Sequence, residues 1–120
     1  ERLYDFFSSG SPDAFNSANQ ADSHSIVKAW LREEALAVHV IDIWLDVVGS
    51  ALAAAVNVLG ASIVAVGGGL ANSKPLINAL DLEVRNRCLA SFPGPLLYGA
   101  VSGTEQGLVG AAIHAQSKLR

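Results

Sequence analysis

Three consecutive glycines, Gly67, Gly68 and Gly69, close a short β-branched run and are the residues best suited to chemistry in this chain. Residues without a Cβ atom let a ligand approach the backbone closely. A helix start follows, because Asn72 or Ser73 can cap free N–H groups and the next proline fits a first helical turn. A glycine turn before a helix N-terminus suits phosphate binding, although a tight turn without any ligand explains the pattern equally well.

The elements that must position this loop are a helix and a strand before it and a helix after it. Residues 62–66 are a compact β-branched run, which predicts a buried strand leading into the glycines. Before it, apolar residues spaced three to four apart predict a long helix from about Ser23 to Leu59, with a bend or break at Gly49-Ser50. After it, the pattern predicts a helix from about Ser73 to Leu89.

The last part of the chain repeats the strand–helix plan. Residues 96–101 predict a second strand, and Ser102 with Glu105 forms a capping box that starts a helix continuing through Leu119. Crossovers between such strands are parallel and right-handed. Because two strands alone leave both sheet edges open, we predict an α/β fold: a helix-rich βαβα segment with an incomplete sheet.

The N-terminal part is predicted to be a separate helix and loop segment over residues 1–22, with a helical turn over Leu3 to Phe7 and a turn at Ser11-Pro12-Asp13. Residues 23–120 form the main unit. The chain contains no methionine and begins at Glu1, which predicts a processed chain or a piece of a longer protein.

Composition narrows the function classes. The 120 residues are 51% hydrophobic and 16% charged, which indicates a packed core rather than disorder. A net charge of −3 with scattered Lys and Arg argues against a nucleic-acid surface. The single Cys88 excludes an internal disulfide and favours a cytoplasmic setting. The uncharged stretch Val47–Ser73 is divided by glycines and preceded by Asp42 and Asp46, so we predict a buried helix and strand rather than a membrane span.

No residue stands out as a nucleophile, a general base or a metal ligand. The loop lacks the second glycine of a P-loop, and Asn72 replaces the third glycine of a dinucleotide fingerprint. Asp81 and Glu83 are interpreted as surface acids, and Trp30 and Trp44 as core or interface anchors. The histidines are interpreted as surface or half-buried residues without a ligand: His24, His39 and His114.

The order of these elements resembles a known family. An apolar helix, the run from Asn57 to Gly69, a helix, a strand and the run Gly107-Leu-Val-Gly-Ala-Ala112 resemble the C-terminal part of ROK-family sugar kinases. These kinases belong to the actin-like, hexokinase-like ATPase superfamily, whose domains have a ribonuclease H-like fold. The resemblance covers about residues 18–115, and the chain looks most like an N-acetylglucosamine kinase or a glucokinase.

The resemblance implies half of an ATP site, with Gly67, Gly68 and Gly69 lining the nucleotide and Asn72 and Ser73 nearby. It implies ATP and Mg²⁺ as cofactors of the intact parent, and a hexose or N-acetylhexosamine as acceptor of the γ-phosphate. The catalytic Asp, the first phosphate loop and the sugar-binding residues lie upstream in the family. We therefore assign no catalytic residue here and expect this chain alone to be inactive.

Other assignments concern partners and alternatives. The missing N-terminal half is the expected partner, and open sheet edges with apolar helix faces predict a homo-oligomer. No membrane and no nucleic acid is expected to bind this segment. Two alternatives remain open: a fragment of a sugar-responsive ROK-type transcriptional repressor with an upstream winged-helix domain, and a non-catalytic oligomerisation module in which the glycines are only turns.

Overall fold

The computed structural model describes residues 1–9, 22–99 and 116. The predicted turn at Ser11-Pro12-Asp13 and the capping box of the last helix lie outside the described residues, although Gln116 is helical. The predicted division of the chain after residue 22 lies at the edge of the described part and stays a prediction. The elements, in chain order, are α1 (Arg2–Ser9), α2 (Ser23–Leu31), α3 (Ala35–Leu59), β1 (Val64–Val66), a 3₁₀ turn (Gly69–Asn72), α4 (Lys74–Arg87) and β2 (Leu97–Gly99).

The long predicted helix is in fact two helices, α2 and α3, which are separated at Glu33. Glu33 has a φ angle of 60°, and its N–H donates to the Trp30 carbonyl at 2.9 Å. The next N–H, of Glu34, donates to the Ala29 carbonyl at 3.1 Å, which completes a Schellman ending. A left-handed conformation costs a non-glycine residue roughly 1–2 kcal/mol. The break was not predicted, because glycine normally marks such a helix end and none is present here.

Of the bend or break predicted at Gly49-Ser50, the break is wrong, because α3 continues through both residues to Leu59. A Cβ atom at Gly49 would lie 3.1 Å from the Cβ of Glu83 on α4. The glycine is therefore explained by the close approach of two helices. The helix ends instead at Gly60, whose φ of 64° is the usual left-handed C-terminal conformation.

The hydrophobic core lies where α2, α3, α4 and the strands meet. Trp30 and Trp44 are partly buried against it, which confirms their interpretation as core anchors. α1 packs on α3, where the Phe7 ring meets the His39 ring edge-on with centroids 4.9 Å apart. Among the described residues, the largest fully buried side chains are Leu76, Val84 and Leu96.

The two strands pair in parallel, as predicted, with Val64 opposite Leu97. Pairing begins at Val64, so β1 is shorter than the predicted 62–66. Of the predicted second strand, residues 100–101 lie outside the described part. The helices and the small parallel sheet are compatible with the predicted α/β class. In a parallel pair both carboxyl ends lie at one edge, which brings the end of β2 next to the loop that follows β1.

Within the described residues, α3 is the one helix that is long and apolar enough to cross a membrane by length and composition alone. It carries the exposed Asp42 and Asp46 and packs against α2 and α4. Acidic side chains of this kind are expensive inside a bilayer, so we keep the prediction that α3 is a helix of a packed domain.

Candidate functional site

The glycine loop after β1 is exposed and its conformation depends on glycine. Gly68 has φ of 97° and ψ of 175°, a region that is essentially restricted to glycine. A Cβ atom at Gly68 would meet no other atom within 4 Å. Glycine is therefore required by backbone geometry rather than by packing, and the open space beside Gly68, with Gly67 also exposed, leaves the backbone accessible to a ligand.

The loop continues through the 3₁₀ turn into α4. Ser73 is the N-cap residue of α4 and Pro75 lies in its first turn, as predicted. The Ser73 side chain makes no capping hydrogen bond, while its carbonyl accepts the Ile77 N–H at 3.0 Å. Asn72, at the end of the 3₁₀ turn, is exposed. In the first turn of α4, Lys74 and Leu76 carry N–H donors without a side-chain cap, Pro75 carries none, and the helix end has a partial positive charge beside the glycine loop.

A cavity of about 560 Å³ lies at the same edge, between the 3₁₀ turn, the start of α4 and the end of β2. Among the predicted site residues, Asn72 lines the cavity, whereas the three glycines and Ser73 lie outside its wall. The structure therefore places the predicted residues along one edge but gathers them only in part around one space. The side chains that give the cavity its character are Asn72, Lys74, Ile77, Asn78, Leu97 and Tyr98.

Five of these six lining residues were missed by sequence reasoning, and three of the five are polar: Lys74, Asn78 and Tyr98. Lys74 and Asn78 are exposed and lie one helical turn apart on α4, so they share a face. That spacing, counted from the predicted helix start, was the available signal. Tyr98 comes from β2 and is 48% exposed. Its proximity depends on the parallel pairing, which places the two strand ends together.

The end of β2 fits tightly against the 3₁₀ turn. A Cβ atom at Gly99 would lie 3.0 Å from the carbonyl oxygen of Ala71. A side chain at Gly99 would therefore push the strand away from the turn. His24 of α2 also borders the loop, because a Cβ at Gly69 would lie 3.4 Å from its Nε2 atom.

Asp81 is buried, so its interpretation as a surface acid is wrong. Its side chain is 6% exposed. Oδ1 accepts the N–H groups of Leu96 and Leu97 at 2.7 and 2.8 Å, and Oδ2 accepts the Nε–H of Arg85 at 2.7 Å. A buried carboxylate is tolerated when it is paired and fully hydrogen-bonded in this way. Glu83 is half-buried and pairs with Arg87.

The other titratable residues do not gather into a site. Across residues 1–9, 22–99 and 116, no group of three or more His, Cys, Asp or Glu side chains could hold a metal ion. His24 and His39 are exposed on helices, as predicted, and His114 lies outside the described residues. Cys88 is half-buried beside the core, and burial raises the pKa of its thiol.

Comparison with known proteins gives one positive result. The family model described as ROK family matches residues 10–118, which is nearly the whole chain and includes the glycine loop, α4 and β2. No curated protein and no solved structure matches the chain. The chain therefore belongs to the ROK family, which includes sugar kinases and transcriptional repressors.

Proposed function

We propose that this chain is the C-terminal, ATP-binding half of a ROK-family sugar kinase with an actin-like fold, and that Gly67, Gly68, Gly69, Asn72 and Ser73 lie against the nucleotide. The observation that carries the proposal is the meeting of an open glycine loop and a helix N-terminus at the carboxyl edge of a parallel sheet. Ligands of open α/β sheets bind at this edge.

The residues at this edge fit a nucleotide. Free N–H groups at the start of α4 and the ammonium group of Lys74 suit phosphate oxygens. The exposed Tyr98 ring offers an apolar surface to a base, next to the small accessible parts of the core residues Ile77 and Leu97, and Asn78 offers an amide for its polar edge. A volume of about 560 Å³ lies within the usual range of small-molecule sites.

The remaining parts of the reaction are assigned to residues beyond this chain. ATP supplies the γ-phosphoryl group, and a hexose or an N-acetylhexosamine accepts it. Mg²⁺ is expected to accompany the phosphates in the full-length protein, since carboxylates that could hold it do not cluster among the described residues. The kinase is proposed to be a cytoplasmic homo-oligomer, and the isolated chain to be inactive.

The test is ATP-dependent phosphorylation of a panel of hexoses and N-acetylhexosamines by the full-length protein, compared between Gly68→Ala and Gly60→Ala. Both glycines have positive φ and open space around the missing Cβ, but Gly60 ends α3 and precedes β1, whereas Gly68 follows β1 in the loop. A strained residue costs about 1–3 kcal/mol, so both variants should lose stability.

We expect Gly68→Ala alone to raise the ATP dissociation constant, by about tenfold for each 1.4 kcal/mol of lost binding energy. Equal ATP affinity in the two variants would contradict the assignment of the loop. Sugar binding without any phosphoryl transfer by the wild-type protein would contradict the kinase proposal and favour the repressor class.

A further inference from the structure

We propose that Asp81 is a positioning residue that sets the wall of the candidate nucleotide cavity by fixing β2 against α4. The inference rests on the proposed function for its meaning, and on the hydrogen bonds of Asp81 for its geometry. Asp81 does not line the cavity. It acts through β2, which does line the cavity.

The first step is the attachment of β2. A single carboxylate oxygen of Asp81 accepts two consecutive backbone N–H groups, those of Leu96 and Leu97, at the start of the strand. Neither bond belongs to the pairing of β2 with β1. They join the middle of α4 to a strand 15 residues further along the chain. Because both donors are buried, loss of this acceptor would leave two unsatisfied N–H groups.

The second step links this attachment to the cavity. Tyr98 and Gly99 follow directly after Leu97, and both line the cavity. Successive side chains of a strand point to opposite faces, so a shift of one residue would turn Tyr98 away from its present side. Gly99 also packs closely on the 3₁₀ turn, since even a Cβ there would lie 3.0 Å from the Ala71 carbonyl oxygen, so the turn limits movement of the strand towards it.

The third step concerns charge. The second carboxylate oxygen accepts from Arg85, one turn later on the same helix. This pair balances the buried negative charge and leaves Oδ1 directed at the strand. An asparagine at position 81 could keep an oxygen for the two N–H groups while losing the charge interaction with Arg85.

The experiment uses the full-length protein with three variants: Asp81→Ala, Asp81→Asn and Val84→Ala. Val84 is fully buried on α4 and provides a destabilised control that leaves the Asp81 hydrogen bonds intact. ATP dissociation constants are measured at a temperature at which each variant is folded, and the amide NMR signals of Tyr98 and Gly99 are recorded without nucleotide.

We expect Asp81→Ala to weaken ATP binding about tenfold, which corresponds to the loss of one to two hydrogen bonds. Asp81→Asn should recover most of that affinity, and Val84→Ala should bind ATP like the wild type. The amide signals of Tyr98 and Gly99 should shift in Asp81→Ala and remain in place in Val84→Ala.

Two results would overturn the inference. Equal loss of ATP affinity in Asp81→Ala and Val84→Ala would mean that Asp81 acts only through stability. Unchanged Tyr98 and Gly99 signals in both alanine and asparagine variants would mean that β2 is fixed by other contacts. If the wild type fails to bind ATP, the proposed function fails, and the NMR comparison still decides whether Asp81 positions the cavity wall.

Discussion

The two ends of α4 differ in how their free backbone groups are treated. At the C-terminal end, the Asn57 side chain accepts the Leu89 N–H at 2.9 Å and donates to the Arg87 carbonyl at 3.4 Å. The Arg87 guanidinium bonds to Glu83 and Asp46, and these carboxylates raise the pKa of Arg87. At the N-terminal end, no side chain of the described residues caps the first turn.

The two ends of α4 are therefore expected to have different roles. The C-terminal end contributes to the stability of the fold, and the N-terminal end is available for binding. The carbonyl groups of Arg85 and Arg87 accept the Cys88 N–H and the Asn57 amide, and the Arg87–Asp46 ion pair also joins this end of α4 to α3. Free N–H groups near Ser73 have no side-chain partner and lie beside the open glycine loop. A helix end that leaves its donors unsatisfied is destabilised slightly but is available to an anion. The comparison therefore predicts that mutations at the two ends will affect different measurements.

The largest effect is expected where α3 and α4 approach most closely. Gly49→Val would force its side chain towards the Cβ of Glu83, only 3.1 Å from the position of a Cβ. We expect a loss of about 1–3 kcal/mol in the free energy of unfolding, because overpacking displaces helices. Urea denaturation measures this loss. Gly94→Ala is the control, because a Cβ atom at Gly94 would meet no atom within 4 Å.

ATP affinity of the folded Gly49→Val variant should equal that of the wild type. An unchanged denaturation midpoint would show that the helices have room to separate here. A large loss of ATP affinity in the folded protein would break the proposed separation between the two ends of α4.

A smaller effect is expected from Asn57, which joins α3 to the end of α4. Asn57→Ala removes both hydrogen bonds, and we expect a loss of about 1 kcal/mol, since the side chain is exposed and water can replace part of the interaction. Thermal denaturation compares it with Asn86→Ala, an exposed neighbour on α4. Equal melting temperatures for the two variants would mean that the Asn57 bonds contribute nothing to stability.

Local patterns were enough to predict the elements around the loop. The start of α4 follows from Ser73 and Pro75, and the parallel pairing follows from a strand–helix–strand order. The division between α2 and α3 could not be predicted, because Glu33 takes a left-handed conformation that its side chain does not favour. The Schellman hydrogen bonds and the packing on either side determine it.

Only those parts of the candidate site that are adjacent in sequence could be predicted. Its loop and helix start are adjacent in sequence, but the cavity also needs Tyr98 and Gly99 from a strand placed by tertiary pairing. Asp81 shows the same limit. It occupies a helix position with an arginine one turn later, which is typical of a surface pair. Its burial depends on β2 crossing that face of α4.

The smallest effect is expected at the N-terminal end of α4. Substitutions of Ser73 can distinguish capping of the helix from binding of an anion. Ser73→Asp should raise the free energy of unfolding by about 0.5–1 kcal/mol, because its carboxylate can accept the N–H of Leu76 and complements the helix dipole, while Pro75 has no N–H to offer. In the proposed kinase the same negative charge would oppose phosphate, so ATP should bind more weakly.

Ser73→Asn provides the matched control, since asparagine caps equally well without a charge. ATP affinity is measured by calorimetry at low and high salt. If both variants bind ATP equally at low salt, no phosphate approaches this end of α4. If only the aspartate variant binds weakly and high salt reduces the difference, the charge is acting on an anion through screened electrostatics.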